Sequence, residues 1–340
     1  MRQQWLKMDI FGISAGLLGM YLVGIYTAFF CFNEYMTTYI YAWFAIFMVT
    51  ADKLHKTLWL NDYVVNHYRP PKMTKKMCAK SIFHINNETI NIWSHLIGFI
   101  YFTYQQYDIN YRLIPSLGSH KSDHLVYSLS LLGMQICMLF SASYHTFGCS
   151  SIQMRQQWLK MDIFGISAGL LGMYLVGIYT AFFCFNEYMT TYIYAWFAIF
   201  MVTAYVPTRQ DFFEKKVVGS RIGLLHIIYC IIISFGVLPS IHWVILHGGF
   251  ENGHVMKWFP NIIILYGLIA TAFIFYVTMI PERLCPGKFD VVGCSHQWWH
   301  MFILAAMVYW QRTGNDLLAE YRLIDNSCHI SIGSNFTLSL

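Results

Sequence analysis

An all-α, polytopic membrane protein, built as a bundle of seven transmembrane helices with a cytoplasmic amino terminus, is the fold this sequence predicts. Three observations predict it. The first is composition: 57% of the 340 residues are hydrophobic and only 11% are charged, against roughly a quarter charged in soluble domains. The second is segmentation. Apolar runs long enough, or nearly so, to cross a bilayer occupy Ile92 to Tyr107, Leu125 to Tyr144, Ile163 to Phe183, Tyr192 to Val206, Ile222 to Leu246, Ile262 to Ile280 and His296 to Gln311. The third is charge placement. Threading these runs alternately puts fifteen Lys and Arg residues in the connections of one side and five on the other. Basic connections stay cytoplasmic, so the amino end is inside and the carboxyl tail outside or luminal.

Taken in order, residues 1–51 repeat residues 154–204 without a single difference. Solenoid repeats recur several times and diverge, so this copy reads as a recent duplication of a coding segment or a gene-model artefact that adds a helix or hairpin. Its second run, Tyr39 to Ala51, is shorter than the ~20 residues a span needs. The polar start, Met1 to Lys7, precedes a run too long for a signal-peptide core, so no cleavable leader is expected. Residues 52–80 form a basic cytoplasmic arm with seven cations: Lys53, Lys56, Arg69, Lys72, Lys75, Lys76 and Lys80. Attraction to anionic lipid headgroups is their simplest role.

Residues 81–315 make up the membrane domain. Its first helix carries Glu88, Asn91 and His95 at i, i+3 and i+7, a polar face expected to lock the helix through a buried network; His95 is a weaker ligand candidate. Pro239 and His242 interrupt the fifth run, which a bundle tolerates when neighbours satisfy the freed groups. Residues 316–340 form an outer or luminal tail. It carries the sequon Asn335-Phe336-Thr337 on the glycan-accessible side, whereas Asn87-Glu88-Thr89 faces the cytoplasm. Nine cysteines without a Cys-x-x-Cys pair imply no disulfide framework.

His296 and His300, four residues apart at the start of the seventh run, stack their rings on one helix face. Fourteen histidines in a chain of this length would give about 0.5 such pairs by chance, and His120 and His124 repeat the spacing. Topology separates the two pairs. His120 and His124 lie in a Ser- and Gly-rich outer connection and read as solvated. His296 and His300 lie at the inner level, where the second run ends on Ser141 and His145 and the third begins at Asp162. Each of these has a bland reading: Asp162 as a helix cap, His145 as a satisfied interior histidine, Ser141 as bonded back to its own helix. Together they are five ligand-type side chains from three helices at one depth, where ionisable groups mark function. His145, His296 and His300 would hold Zn2+ with a fourth position left for water, whose pKa zinc brings to roughly 7. Asp162 would accept the water proton or orient the nucleophile, and Ser141 would bond the water or a bound carbonyl oxygen. Such a site suits hydrolysis of an amide or ester.

The longer motifs are Asn61-Asp62-Tyr63 and His67-Tyr68-Arg69-Pro70-Pro71 in the arm, Asn87 through His95, Ser141-x3-His145, Lys160-Met161-Asp162 with Gly165-Ile166-Ser167, and Pro281 through Phe289 leading into Ser295 through His300. With these the chain resembles the progestin and adipoQ receptor family from Asn61 to Arg312, about three-quarters of its length. That resemblance implies a cytoplasm-facing zinc site built from the Ser, Asp and three His positions. Within the family the chain is most similar to the branch that traps Raf kinase at the Golgi, including in Ile241 through Gly249. This implies Golgi residence and a Raf-type kinase docked on the basic arm. The adiponectin-receptor branch implies instead a plasma-membrane receptor with ceramide-type amide hydrolysis.

The expected function is therefore a receptor-like, zinc-binding membrane protein in signalling or kinase tethering. A zinc-dependent intramembrane lipid amidase is the alternative. Expected partners are membrane lipids, a ceramide-like or steroid lipid ligand and the kinase, with no nucleic acid. An open fourth position beside a lipid-sized cavity favours the enzyme; a site closed by Asp162 or Ser141 favours a structural metal.

Overall fold

The computed structural model describes residues 48–206, 216–218, 222–324 and 327–328. The chain divides into two units, Met1–Met48 and Val49–Leu340. The expectations for the copied segment lie outside the described residues except at its last four, and the sequon at Asn335 lies outside them too.

The arm is folded. Val49 and Tyr68 exchange backbone hydrogen bonds of 2.8 and 3.0 Å, and Ala51 N donates to Val65 O. Leu54, Leu58, Val64 and Tyr68 bury themselves with Cys294 from the far end of the chain. The six lysines of the arm stay exposed, whereas Arg69 is buried. Helix α1 (Lys75–Lys80) ends the arm, capped by the Thr74 hydroxyl on Met77 N.

Seven helical segments follow: α2 (Thr89–Asp108), α3 (Lys121–Phe147), α4 (Ile152–Ala181), α5 (Asn186–Tyr205), the pair α6 (Leu224–Phe235) and α7 (Val237–Leu246), α8 (Gly253–Thr278) and α9 (Ser295–Leu323). A short hairpin, β1 (Lys216–Val218) and β2 (Ile222–Gly223), precedes α6. Among the described residues, α3, α4, α6 with α7, and α8 are each long and apolar enough to cross a membrane. The chain is thus a mainly helical, multi-pass membrane protein. Helix α9 falls below that apolarity because it turns Gln297, His300 and Gln311 into the interior. It also runs twelve residues past the predicted end at Gln311, since its last turns are held by side chains of other helices rather than by lipid.

Helix α4 packs against α3, α5 and α9, while α2 lies on α3 and α9, and α8 lies on α9. Small residues let α3 and α4 touch backbone to backbone. A Cβ added at Gly172 would stand 2.3 Å from the Ser130 carbonyl oxygen, and one at Gly133 would stand 2.3 Å from that of Ala168. Neither backbone can yield cheaply. Gly172→Ala is therefore expected to cost about 1–3 kcal/mol by overpacking, read as a lowered melting temperature. Gly267→Ala on α8, where nothing lies within 4 Å of the added carbon, is the matched control and should leave stability unchanged.

The fifth run is broken, but at Gly236 rather than at the flagged Pro239. The Tyr174 ring of α4 occupies the space of a Gly236 side chain, and its hydroxyl donates to Ile233 O at 3.1 Å. Pro239 then falls in the first turn of α7, where its missing N–H is not needed.

At the end of the bundle away from the arm, Asp123 of α3 is fully buried. It accepts from Arg322 of α9 at 2.7 and 3.0 Å and from the Tyr179 hydroxyl of α4. Beside this junction Cys184 and Cys328 form a disulfide. That corrects the expectation of no disulfide framework: the partners are 144 residues apart, and only the return of α9 to the end of α4 brings them together.

Candidate metal centre

The site is assembled at the arm end of α3 and α9. Ser141 and His145 occupy one face of the last turns of α3, both buried. His296 and His300 occupy the first two turns of α9. Ligand atoms of His145, His296 and His300 all lie within 4.8 Å of one another. His296 Nε2 is 3.4 Å from His145 Nε2 and 3.3 Å from His300 Nε2. Three imidazole nitrogens this close together could hold a metal ion between their lone pairs.

Orientation of His145 comes from α2. Glu88 Oε2 receives the His145 Nδ1 hydrogen at 2.8 Å and also an Asn91 Nδ2 hydrogen at 2.6 Å. With Nδ1 protonated, Nε2 carries the lone pair that faces the other two rings, the arrangement by which carboxylates orient metal-binding histidines. Glu88→Ala is therefore expected to weaken metal binding by roughly 10–100-fold, measurable by competition with a chromogenic chelator. His95, on the same face of α2, stacks on His300 with ring centroids 3.9 Å apart, outside the ligand group.

Two loops fix the rest. Glu282 caps α9, accepting from Ser295 N at 2.7 Å and from the Ser295 hydroxyl, and it also receives Asn61 Nδ2 at 2.8 Å. The arm is thereby tied to the helix that carries His296. Arg69 turns inward to donate to the carbonyls of His145 and Thr146, closing the end of α3.

Asp162 is not a helix cap. Helix α4 starts ten residues earlier, capped by Ser151 on Met154 N at 3.1 Å. Asp162 therefore sits in the helix interior, paired with the Ser141 hydroxyl and close to His145. The structure thus brings His145, His296 and His300 together, with Asp162 near enough to Ser141 and His145 to be influenced electrostatically by both. Of the other histidine pair, His120 is exposed as expected, but His124 is half-buried and bonds Asn110 Oδ1 at 2.8 Å, so it is a packed residue and not a solvated one.

An apolar cleft of about 70 Å³ lies between α4, α6 with α7, α8 and α9, lined by Tyr174, Gly236, Trp243, Tyr266 and Trp310 among others. Trp310 is ten residues beyond His300 on α9, about 15 Å along the axis. The lining of the cleft does not include the three histidines.

Glu88, Arg69 and Glu282 were not read as parts of the site. Glu88 and its i+3 neighbour were visible as a polar stripe, and the stripe was the available signal. Arg69 carried only a charge count, and Glu282 caps from thirteen residues away, beyond any local capping pattern.

The profile of the haemolysin-III related family matches residues 83–311, a span that begins just before Glu88 and ends beyond His300. Human progestin and adipoQ receptor family member 3 is 34% identical over 277 residues, covering 81% of this chain and 87% of its own. This chain belongs to the progestin and adipoQ receptor family. The same family relationship extends to the adiponectin receptor protein of Drosophila melanogaster, 31% identical over 284 residues, with 82% of this chain and 61% of the relative covered. It also extends to progestin and adipoQ receptor-like protein 1 of Caenorhabditis elegans, 32% identical over 263 residues, with 75% and 58% covered. Within this family the three histidines, their carboxylate support and the Ser141–Asp162 pair all fall inside the matched span.

Proposed function

We propose that this chain is a receptor-like, seven-span membrane protein whose cytoplasm-facing His145, His296 and His300 hold zinc, and which works in signalling or kinase tethering. The observation that carries this reading is the spacing of the ring nitrogens. Tetrahedral zinc with Zn–N bonds of roughly 2.0–2.1 Å separates its nitrogen ligands by about 3.3–3.4 Å; two of the three separations, those to His296 Nε2, are 3.3 and 3.4 Å, and all three ligand atoms lie within 4.8 Å of one another. Three imidazoles suit zinc in ligand type as well.

The orientation is supported twice. Basic residues concentrate on the arm side. The disulfide Cys184–Cys328 is at the opposite end, whereas Cys78, Cys149 and Cys294 on the arm side are free thiols; disulfides persist in luminal or extracellular compartments and not in the cytosol. With six exposed lysines, the arm offers a cationic surface for a Raf-type kinase at the Golgi membrane, the residence favoured over the plasma membrane.

The Ser141–Asp162 pair favours a second reading, zinc-dependent hydrolysis of a ceramide-like amide. When bound, zinc would supply a Lewis acid toward water or a carbonyl oxygen. Asp162 would hold or take a proton, and Ser141 would fix its carboxylate. Ceramide turnover by purified wild type and His296→Ala separates the two. Turnover that vanishes in the variant assigns the enzyme. Zinc-loaded wild type without turnover, together with kinase co-purification lost when the arm lysines become glutamine, supports the tether; kinase recovery unaffected by those lysines overturns it.

A further inference from the structure

Cys78 and Cys149 form a thiol pair that neither the metal centre nor the family relationship uses. Cys78 lies in α1 at the end of the arm and is fully buried. Cys149 lies in the turn between α3 and α4, four residues after His145, and is half-buried. Their Sγ atoms are 3.7 Å apart. A disulfide bond is about 2.05 Å long, so both sulfurs need shift by less than a side-chain rotation in a six-residue helix and an irregular turn. Arg69 binds both walls of the pair. Its guanidinium donates to the Thr146 carbonyl at 2.9 Å and to the Ser81 hydroxyl at 3.0 Å, and that hydroxyl donates to Cys78 O at 2.7 Å.

We propose that Cys78 and Cys149 are a redox modification site, closing reversibly to a disulfide that clamps the basic arm onto the end of α3. Cys149 is the attacking thiol. The Cys78 thiol donates to its sulfur and the Arg69 cation stands nearby, which together outweigh burial and bring Cys149 down to about 7; Cys78 is pushed upward by the same hydrogen bond and by burial. Cytosolic disulfides of this kind are transient and sensory rather than structural.

The oxidant is a hydroperoxide. The Cys149 thiolate attacks one peroxide oxygen, the O–O bond breaks, and the leaving hydroxide takes up the proton that Cys149 released, giving water and a sulfenic acid. The Cys78 sulfur then attacks the Cys149 sulfur. The S–O bond breaks, and hydroxide leaves with the Cys78 proton as a second water. Two thiols are oxidised and one hydrogen peroxide is reduced to two waters. A dithiol reverses the bond by exchange, being oxidised in turn.

The test uses the full chain in nanodiscs. Before oxidation, iodoacetamide at pH 7 should label Cys149 roughly tenfold faster than Cys285, a half-buried thiol in the loop before α9. After hydrogen peroxide, mass spectrometry of a non-reducing digest should find a Cys78–Cys149 linked peptide, which dithiothreitol removes. In Cys78→Ser, a dimedone adduct at Cys149 should replace the link. Equal labelling of Cys149 and Cys285, or peroxide treatment that oxidises Cys149 in wild type without joining it to Cys78, overturns the proposal.

Discussion

Replacing His300 with alanine is expected to empty the metal centre. The His300 ring is buried, stacked on His95 on one side and meeting His296 on the other at a centroid distance of 4.8 Å. Its removal leaves two imidazoles at a site built for three. The loss of affinity should exceed the roughly 10–100-fold that removing a supporting partner such as Glu88 costs, so the purified variant should carry almost no zinc. A ligand that binds only the folded state also stabilises it. The melting temperature of His300→Ala should therefore fall, and strong chelation of wild type should lower its melting temperature toward the same value. His120→Ala is the control, because that side chain has the same i, i+4 partner spacing but is exposed at the other end of α3. It should keep zinc and stability. Equal loss of zinc in both variants would mean that the metal is not held by the rings assigned here.

Arg322→Met should be the most destabilising single change outside the metal centre. It leaves Asp123 fully buried, with the Tyr179 hydroxyl still donating to it but without the two hydrogen bonds that the guanidinium supplied. Breaking such a pair costs about 3–5 kcal/mol because of the charge that remains, not because the pair itself is worth that much. The double variant Asp123→Asn with Arg322→Met should recover a large part of the loss. Thermal unfolding of the three proteins checks the sign: a double variant no more stable than Arg322→Met contradicts the explanation. Phe183 packs against the guanidinium at 4.7 Å, and methionine keeps part of that contact, so the comparison isolates charge.

Hydropathy made the helical class and the rough place of every run legible, because lipid requires long apolar segments. It misjudged their ends. Helix α4 begins at Ile152 rather than Ile163, and α9 continues to Leu323. In both cases the extra turns are polar and are held by neighbouring protein, which a scale of apolarity cannot register. The histidine cluster was legible for a different reason: i, i+4 spacing and alternate threading were enough to bring His145, His296 and His300 to one level, with Ser141 and Asp162 expected beside them. What threading could not reveal was the partner of each ring. Glu88 shares its α2 face with His95, and either could have been aimed at the rings; only the packing of α2 on α3 and α9 selects Glu88 for His145 and leaves His95 stacked on His300. Cys184 with Cys328, and Cys78 with Cys149, were equally hidden, since each pair joins segments that meet only after the bundle closes.

The most direct measurement of the metal centre is elemental analysis combined with X-ray absorption on wild-type protein purified without chelators. The expected result is one zinc per chain, with nitrogen ligands at about 2.0–2.1 Å and no sulfur. A chain that carries no zinc, or zinc with a sulfur ligand at about 2.3 Å, would contradict a site made by His145, His296 and His300.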